Sequence, residues 1–224
     1  MEQDKRLIIN STTKAILWIA PMYLIFISKA FVPDSLQTYF LIYPHSFENL
    51  TGILLSPFWH FDYNHLFSNT SSLLFLIFLL YYFKPHKATI LITYSIIFSG
   101  TSVWLLARYA YHAGASGVLY FIVFYLFMFG ILSKNRNLWA ISLIMVFLYG
   151  SVVWGIVPLD QKISWESHLY GAIFGLIFAY IHREKPKSRI NEYLIKYEFN
   201  VTIDKQEITY TYLHKDTQVG NVNK

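Results

Sequence analysis

The fold of this chain is decided around one stretch of sequence, HAGASGVLY at residues 112–120. The stretch opens an uncharged run, residues 109–133, that is long enough to cross the roughly 30 Å of hydrocarbon in a bilayer. Its one serine, Ser116, lies among glycines, so it either lets two helices pack closely or serves as a buried nucleophile. The rest of the sequence has to separate these two interpretations.

Composition places the chain in a membrane. Of its 224 residues, 55% are hydrophobic and 14% are charged, whereas a soluble domain carries about 25% charged residues. No cysteine is present, which excludes disulfides, thiolate metal sites and a cysteine nucleophile. The net charge of +5 is spread over short loops and a tail, so it does not indicate a nucleic-acid partner.

Six apolar runs predict an all-α membrane protein, a bundle of six transmembrane helices. The runs cover residues 15–32, 63–83, 88–107, 109–133, 137–159 and 167–182. Lys29, near the end of the first run, is expected to extend its amine to the membrane interface. The long loop between the first two runs is rich in aromatic residues and has no Lys or Arg from residue 30 to 63. We expect this first loop to lie at the outer interface.

The distribution of Lys and Arg predicts the orientation, because cytoplasmic loops hold the excess of positive charge. The larger group of basic residues near span ends consists of Lys5, Arg6, Lys14, Lys84, Lys87, Lys134, Arg136, Arg183, Lys185, Lys187 and Arg189. On the opposite side lie Lys29, Arg108 and Lys162. Both termini are therefore expected in the cytoplasm, with the first loop and residues 109–116 and 158–166 on the outer face of a cell membrane.

Three segments are predicted along the chain. They are a cytoplasmic N-terminal segment (1–13), the six-span membrane domain (14–183) and a polar cytoplasmic tail (184–224). In the tail, apolar residues alternate with polar ones on both sides of the sequence DKQE at residues 204–207. Alternation around a polar turn is typical of a β-hairpin, so the tail is predicted to contain a small one.

Three groups of polar residues lie within the apolar runs, where polar side chains are costly and by default indicate function. His65 and Asn69 are four residues apart on the second run, which puts both on one face of a helix. Ser116 and Tyr120 have the same spacing on the fourth run. His168 lies at the start of the sixth run.

Four glycines accompany these groups and remove side chains where another backbone or a substrate has to come close. They are Gly114, Gly117, Gly171 and Gly175. Small residues and single polar residues are also ordinary devices of helix packing in membranes. Each group by itself is therefore more typical of packing than of catalysis.

Together the three groups favour catalysis, because the predicted topology puts all of them near the outer ends of their spans. A serine nucleophile needs a base, and a developing oxyanion needs fixed hydrogen-bond donors. Ser116 and His168 fit the roles of nucleophile and base. The pair His65 and Asn69 fits the role of oxyanion donors.

No carboxylate is placed to complete a triad. Glu166 is only two residues before His168 and so faces elsewhere on a helix, and Asp160 falls in a loop. The sequence therefore predicts a Ser-His dyad. In place of an acid, we expect the imidazole to be held by stacking on Tyr120.

At these residues the sequence resembles the rhomboid family of intramembrane serine proteases. Residues 114–117, GASG, are similar to the family's G-x-S-G nucleophile motif, and Tyr120 falls where the family has a tyrosine packed on the catalytic histidine. Residues 168–175 are similar to its H-x-x-G-x-x-x-G motif. Residues 65–69 match its H-x-x-x-N pair, and His60 matches a further histidine.

The resemblance covers about residues 50–182 and implies a catalytic dyad in a water-filled cavity that opens to the outer side. It implies an oxyanion hole formed by the Ser116 backbone with His65 and Asn69. It further implies a gate at the fifth span, a cap before the sixth, and cleavage of transmembrane protein substrates near their outer ends. Membrane lipids are the other expected partners, and no cofactor or metal is expected.

The sequence departs from the family pattern in three places. The Trp-Arg pair common in the first loop is absent, and residues 184–224 have no recognised counterpart. Tyr170 stands before Gly171 where a small residue is frequent, so the sixth span is expected to fit more loosely against the fourth, or to be rotated.

Two other functions stay open. An inert rhomboid-like protein would bind or route membrane clients, although such relatives usually lack the serine or the histidine, and this chain has both. A small transporter would use the buried histidines as a proton relay, but spans two to six have no Asp, Glu, Lys or Arg in their middle. Metal and aspartyl intramembrane proteases are disfavoured, because the chain has no H-E-x-x-H and no Gly-x-Gly-Asp.

Overall fold

A computed structural model describes residues 2–133, 135–159 and 163–183, and the backbone of residues 197–203 and 208–214. The chain divides into two compact units, Met1–Arg183 and Glu184–Lys224. The described part of the first unit is helical throughout, apart from its loops and one isolated backbone bridge. The prediction of a helical membrane domain is confirmed.

The first unit contains eight α-helices among its described residues. They are α1 (Glu2–Ser28), α2 (Asp34–Gln37), α3 (Gly52–Leu55), α4 (Tyr63–Phe83), α5 (Ala88–Leu106), α6 (Ser116–Leu132), α7 (Trp139–Tyr149) and α8 (Trp165–Ile181). Short 3-10 segments extend several of these helices, and the two that flank α7 are Arg136–Leu138 and Gly150–Ile156.

Four helical stretches among the described residues are long and apolar enough to cross a membrane. They are Glu2–Phe31, Tyr63–Phe83, Ala88–Leu106 and Arg136–Ile156. The helices α6 and α8 are apolar too but have 17 residues each, which gives them a length of about 25 Å. The chain is an integral membrane protein, and the count of six spans stays a prediction.

Two helix starts differ from the predicted runs. The helix α1 begins at Glu2 rather than near residue 15, and the hydroxyls of Thr12 and Thr13 donate to helix carbonyls one turn back. The helix α6 begins at Ser116 rather than at residue 109. The reason is that residues 109–115 are held outside the helix, since His112 pairs by backbone with the first loop and Gly114 has a φ of 102°.

The helix α6 lies at the centre of the bundle and packs against α4, α5, α7 and α8. Its contact with α8 depends on glycine. A Cβ at Gly171 would overlap the carbonyl oxygen of Gly117, and one at Gly175 would overlap that of Phe121. The expectation of a loose or rotated fit at Tyr170 is wrong, because Tyr170 faces a separate cluster with Ala107 and leaves the glycine face against α6.

The first loop lies against the C-terminal end of α5 and the segment before α6. His112 and Ile42 exchange two backbone hydrogen bonds, of 2.8 and 3.0 Å. His45, which has a φ of 60°, bonds through Nε2 to the carbonyl of Leu105 at 2.8 Å. These contacts fix the loop without the family's Trp-Arg pair.

Lys29 has a more specific place than the membrane interface. Its amine donates to the carbonyl of Phe61 at 2.9 Å and lies over the ring of Trp59 at 5.3 Å. The end of α1 is thereby joined to the segment that leads into α4. A sequence argument based on snorkelling to the interface missed this bond, because the acceptor is a backbone carbonyl.

The second unit contains two strands, β1 (Tyr197–Ile203) and β2 (Ile208–His214). They pair antiparallel, with Tyr197 opposite His214 and Ile203 opposite Ile208. The predicted turn at residues 204–207 lies outside the described residues.

Candidate active site

The three predicted groups meet at one end of the bundle, where α4, α6 and α8 begin. We call it the site end. A cavity of about 530 Å³ opens there. It is lined by the side chains of His65, Asn69, Ser116, Tyr120 and His168, together with residues of the loops around them. The fold thus brings all the polar side chains of the sequence hypothesis to one cavity.

Ser116 is the first residue of α6. At this position the backbone N–H groups of the first turn have no partner within the helix, and they carry the positive end of the helix dipole. The preceding residue, Ala115, supplies no side-chain cap. The helix end is therefore free to stabilise negative charge that develops next to the serine hydroxyl.

His168 is held in one orientation by two contacts. Its Nδ1–H donates to the carbonyl oxygen of Gly155 at 2.8 Å, and its ring stacks on Tyr120 with 4.1 Å between centroids and 6° between planes. Because a carbonyl only accepts, the Nδ1 bond puts the proton on that nitrogen and leaves Nε2 unprotonated. A general base requires an unprotonated nitrogen, and Nε2 is that nitrogen here.

Tyr120 is fixed in turn by the segment after α7. Its hydroxyl donates to the carbonyl of Val152 at 2.7 Å, and a Cβ on Gly155 would overlap that hydroxyl and lie 3.1 Å from Nδ1 of His168. Only a glycine fits at residue 155 without moving the stacked pair.

His65 and Asn69 line the cavity as well, and His60 lies buried behind them. The Asn69 amide donates to Nε2 of His60 at 3.2 Å, and the rings of His60 and His65 meet edge to face at 4.9 Å. Burial first, and then the neighbouring His65, lower the pKa of His60 to about 4. His60 is therefore neutral near pH 7, so its Nε2 can accept from Asn69.

Gly114 brings the segment before α6 up to these side chains. Its N–H donates to the carbonyl of Ser56 at 2.8 Å. A Cβ there would come within 2.6 Å of the His65 ring and 3.6 Å of the Asn69 amide nitrogen. The absence of a side chain at Gly114 thus lets His65, Asn69 and Ser116 line one cavity.

Ser116 and His168 line the same cavity without a bond between them. Among the described residues no hydrogen bond joins Ser116 to His168. Catalytic hydrogen bonds are often long without substrate and tighten in the complex. Of the two carboxylates set aside in the sequence, Glu166 pairs with Arg108, with 3.3 Å between Oε1 and Nη1, and Asp160 lies outside the described residues.

Sequence reasoning missed three parts of the site. Gly155 supplies a backbone carbonyl, which leaves no signal in the sequence. Arg108 was counted only as a topology charge, and its contact with Glu166 crosses two loops. His112 opened the quoted stretch without a role, yet it is buried and hydrogen-bonded to Ser164 at 2.6 Å.

The chain is similar to a known protein family and to several mycobacterial proteins. The Rhomboid domain matches residues 48–185 of the chain. An uncharacterized protein of Mycobacterium tuberculosis is 29% identical over 149 residues, which is 62% of this chain and 62% of that protein. An uncharacterized protein of Mycobacterium leprae is 31% identical over 141 residues, 59% of this chain and 56% of that protein. The matched region thus spans less than two thirds of each of these relatives.

Proposed function

This chain belongs to the rhomboid family, and from that premise we propose that it is an intramembrane serine endopeptidase. Members of the family are usually proteases of this kind. The observation that carries the proposal is the tautomer of His168. A Nδ1–H bond to Gly155 leaves Nε2 free to accept a proton within the cavity that Ser116 lines.

The reaction follows from the atoms present. Ser116 Oγ attacks the carbonyl carbon of the scissile peptide bond while its proton passes to Nε2 of His168. The resulting imidazolium gives that proton to the leaving amine, and the acyl group stays on Ser116. A water then loses a proton to the same nitrogen and attacks the ester. The ester C–O bond breaks as that proton passes to Ser116 Oγ, which releases the carboxylic acid and restores both side chains.

The oxyanion of each tetrahedral intermediate lies at the start of α6 in this proposal. The backbone N–H groups of the first turn, the Asn69 amide and the His65 imidazole are the donors. One such donor typically contributes about 3 kcal/mol to transition-state stabilisation. Because Asn69 is also tied to His60, it is pre-oriented before substrate arrives.

The topology of the proposal is the one with six spans. These are α1, α4, α5, α6, α7 with its flanking turns, and α8, with both termini in the cytoplasm and the site end facing outward across a cell membrane. The excess of Lys and Arg at the other end supports this orientation. Substrates are transmembrane proteins cut near their outer ends, and lipids surround the bundle.

The test is a cleavage assay with purified protein in liposomes and a transmembrane peptide. The wild type is expected to cut the peptide and to react with a fluorophosphonate at Ser116. Ser116→Ala and His168→Ala are each expected to remove cleavage. Asn69→Ala should retain a fraction of the rate, because it removes one of several oxyanion donors. Undiminished cleavage by Ser116→Ala would show that the serine is not the nucleophile.

A second function, an inert protein that binds membrane clients, predicts a different result. In that case folded wild-type protein fails to react with the fluorophosphonate and still retains a transmembrane client on pull-down. The free Nε2 of His168 beside Ser116 favours the protease, since a binding protein needs no base at that point.

A further inference from the structure

A second polar cluster lies beside the dyad and connects the segment before α6 to the first turn of α8. We call it the polar clamp. It consists of Arg108, His112, Ser164 and Glu166. Resting on the proposed protease function, we propose that the polar clamp positions His168 for proton transfer from Ser116. Its residues are positioning residues, since they act through the turn that carries the base.

Glu166 is the unusual member. Its side chain is 3% exposed, and Nη1 of Arg108 lies 3.3 Å from its Oε1. The backbone N–H of Arg108 donates to the same oxygen at 3.4 Å. A buried carboxylate is costly unless it is paired, so the pair fixes the first turn of α8 to residue 108. That turn is also where the helix dipole favours a negative charge.

Arg108 also contacts the segment that leads into α8. Its Nη2 donates to the carbonyl of Ile163 at 2.8 Å. One guanidinium therefore contacts both Ile163, two residues before the helix start, and a carboxylate within the first turn of the helix. This geometry needs the planar fork of arginine, which lysine does not provide.

His112 forms the other half of the clamp. Its Nε2–H donates to the carbonyl of Arg108 at 3.2 Å, which leaves Nδ1 to accept from the Ser164 hydroxyl at 2.6 Å. Burial lowers the pKa of His112, which favours this neutral form. The histidine is itself fixed by its two backbone hydrogen bonds to Ile42.

The hydroxyl of Ser164 bonds to His112 rather than capping the helix in the ordinary way. It stands at the N-cap of α8, where a serine hydroxyl commonly accepts from the backbone of the first turn. Here it makes no such bond, and the hydroxyl goes to His112 instead. Meanwhile the Ser164 carbonyl accepts from the backbone N–H of His168 at 3.4 Å. The clamp thus reaches the backbone of the base.

The experiment compares this buried pair with an exposed pair of the same chemistry. Glu166→Gln and Arg108→Gln break the clamp. Glu2→Gln and Arg6→Gln break a pair whose side chains are 78% and 80% exposed. All variants are reconstituted in liposomes, and the rate is expressed per site labelled by fluorophosphonate, so that a loss of folded protein does not count as a loss of rate.

We expect Glu166→Gln and Arg108→Gln each to lower kcat per labelled site about 10- to 100-fold, with KM unchanged within about twofold. The rate of fluorophosphonate labelling should fall by the same factor. The double variant should lose no more than the worse single variant, because both changes break one contact. Glu2→Gln and Arg6→Gln should stay within about twofold of the wild type.

A milder pair of variants keeps the proposal testable if a charge change prevents folding. Ser164→Ala removes the hydroxyl that donates a hydrogen bond to His112. This change should lower kcat per labelled site about tenfold. Ser164→Thr retains the hydroxyl and should restore most of the rate.

Two results would overturn the proposal in distinguishable ways. If the clamp variants unfold at lower temperature but turn over normally per labelled site, the cluster is structural and has no role in placing the base. If the wild type neither labels nor cleaves, the protease function fails, and the clamp proposal fails with it.

Discussion

The helix α6 has two contrasting interfaces. Against α8, two glycines bring backbone into contact with the carbonyls of Gly117 and Phe121. Against α7, α6 is in close contact at two places. Near its C-terminal end, a Cβ on Gly130 would overlap the Ser142 hydroxyl. At the site end, Tyr120 bonds to the segment after α7. Apolar clefts of about 350 and about 100 Å³ lie along the α6–α7 interface.

One bundle thus combines a closely packed helix pair, α6 and α8, with a helix that is less firmly held, α7. Ser116 and His168 lie on the two helices of the tight interface, so their separation is set by backbone packing. The helix α7 exposes much of its surface, including Phe147 at 85% and Leu143 at 70%. It can therefore be displaced from α6 at a smaller packing cost than α8.

The largest effect is expected from a side chain placed in the tight interface. Gly171→Val would force its Cβ into the carbonyl of Gly117 and towards Tyr120 at 3.2 Å. Backbone cannot yield as a flexible side chain does, so we expect about 3 kcal/mol of lost stability and no activity. Thermal unfolding in detergent and the cleavage assay measure both.

The matched control lies at the end of α7. A Cβ on Gly150 would meet nothing within 4 Å, and the residue has ordinary helical angles at the end of α7, with φ −59° and ψ −31°. Gly150→Ala should leave stability unchanged or raise it by about 0.5 kcal/mol. Equal destabilisation by the two substitutions would contradict the contrast between the interfaces.

The next effect separates activity from stability. Gly155→Ala places a Cβ against the Tyr120 hydroxyl and close to His168, so the stacked rings must shift. We expect kcat to fall about 100-fold, because a displacement of about 1 Å suffices for that loss, while the unfolding temperature changes little. Preserved kcat in Gly155→Ala would show that the orientation of the imidazole does not depend on residue 155.

Lowering the pH is expected to weaken the packing at the site end and not that of α7, because Trp139–Tyr149 contains no carboxylate and no imidazole. The folded pKa of His60 is lowered to about 4 from 6.5. Above pH 6.5 both folded and unfolded chains hold a neutral imidazole. Between pH 6.5 and 4 the unfolded chain binds a proton that the folded chain does not, so the free energy of unfolding falls by about 3 kcal/mol in all.

Urea or thermal unfolding measured from pH 7.5 to 4 tests this dependence. His60→Gln should flatten the curve. His86→Gln should leave it as in the wild type, because His86 is exposed at the start of α5. Parallel curves for the wild type and His60→Gln would refute the assignment.

The smallest effect is expected at the loose interface. The Ser142 hydroxyl donates to the carbonyl of Phe127 at 2.7 Å, and hydrogen bonds between membrane helices contribute about 0.6 kcal/mol on average. Ser142→Ala should lose about that much stability and keep its kcat. A loss as large as that of Gly171→Val would mean that α7 is held as firmly as α8.

The sequence was sufficient for the helices and for the residues that share the cavity. Helix periodicity puts Ser116 above Tyr120 and His65 above Asn69, and length in a bilayer sets the approximate bounds. Those arguments use only the spacing of residue types along the chain and the known thickness of the hydrocarbon core. Both can be applied to the sequence directly.

The parts that could not be predicted depend on backbone atoms and on contacts between loops. The acceptor for His168 is the carbonyl of Gly155, and the acceptor for Lys29 is that of Phe61, and neither carbonyl is encoded by a side chain. The start of α6 at Ser116 results from the pairing of His112 with Ile42, which are far apart in sequence. The pairing of Arg108 with Glu166 likewise needs two loops to be placed first.

The 3-10 segment Gly150–Ile156 gives two carbonyls to the site, one to the imidazole and one to the tyrosine that stacks on it. Any displacement of this segment with α7 therefore changes the free energy of protonating the base. By thermodynamic linkage the coupling is reciprocal, so the charged imidazolium must alter the equilibrium of α7 by the same amount. In the proposed protease, a substrate that displaces α7 and a proton on the His168 imidazole would therefore act as two coupled ligands of one equilibrium.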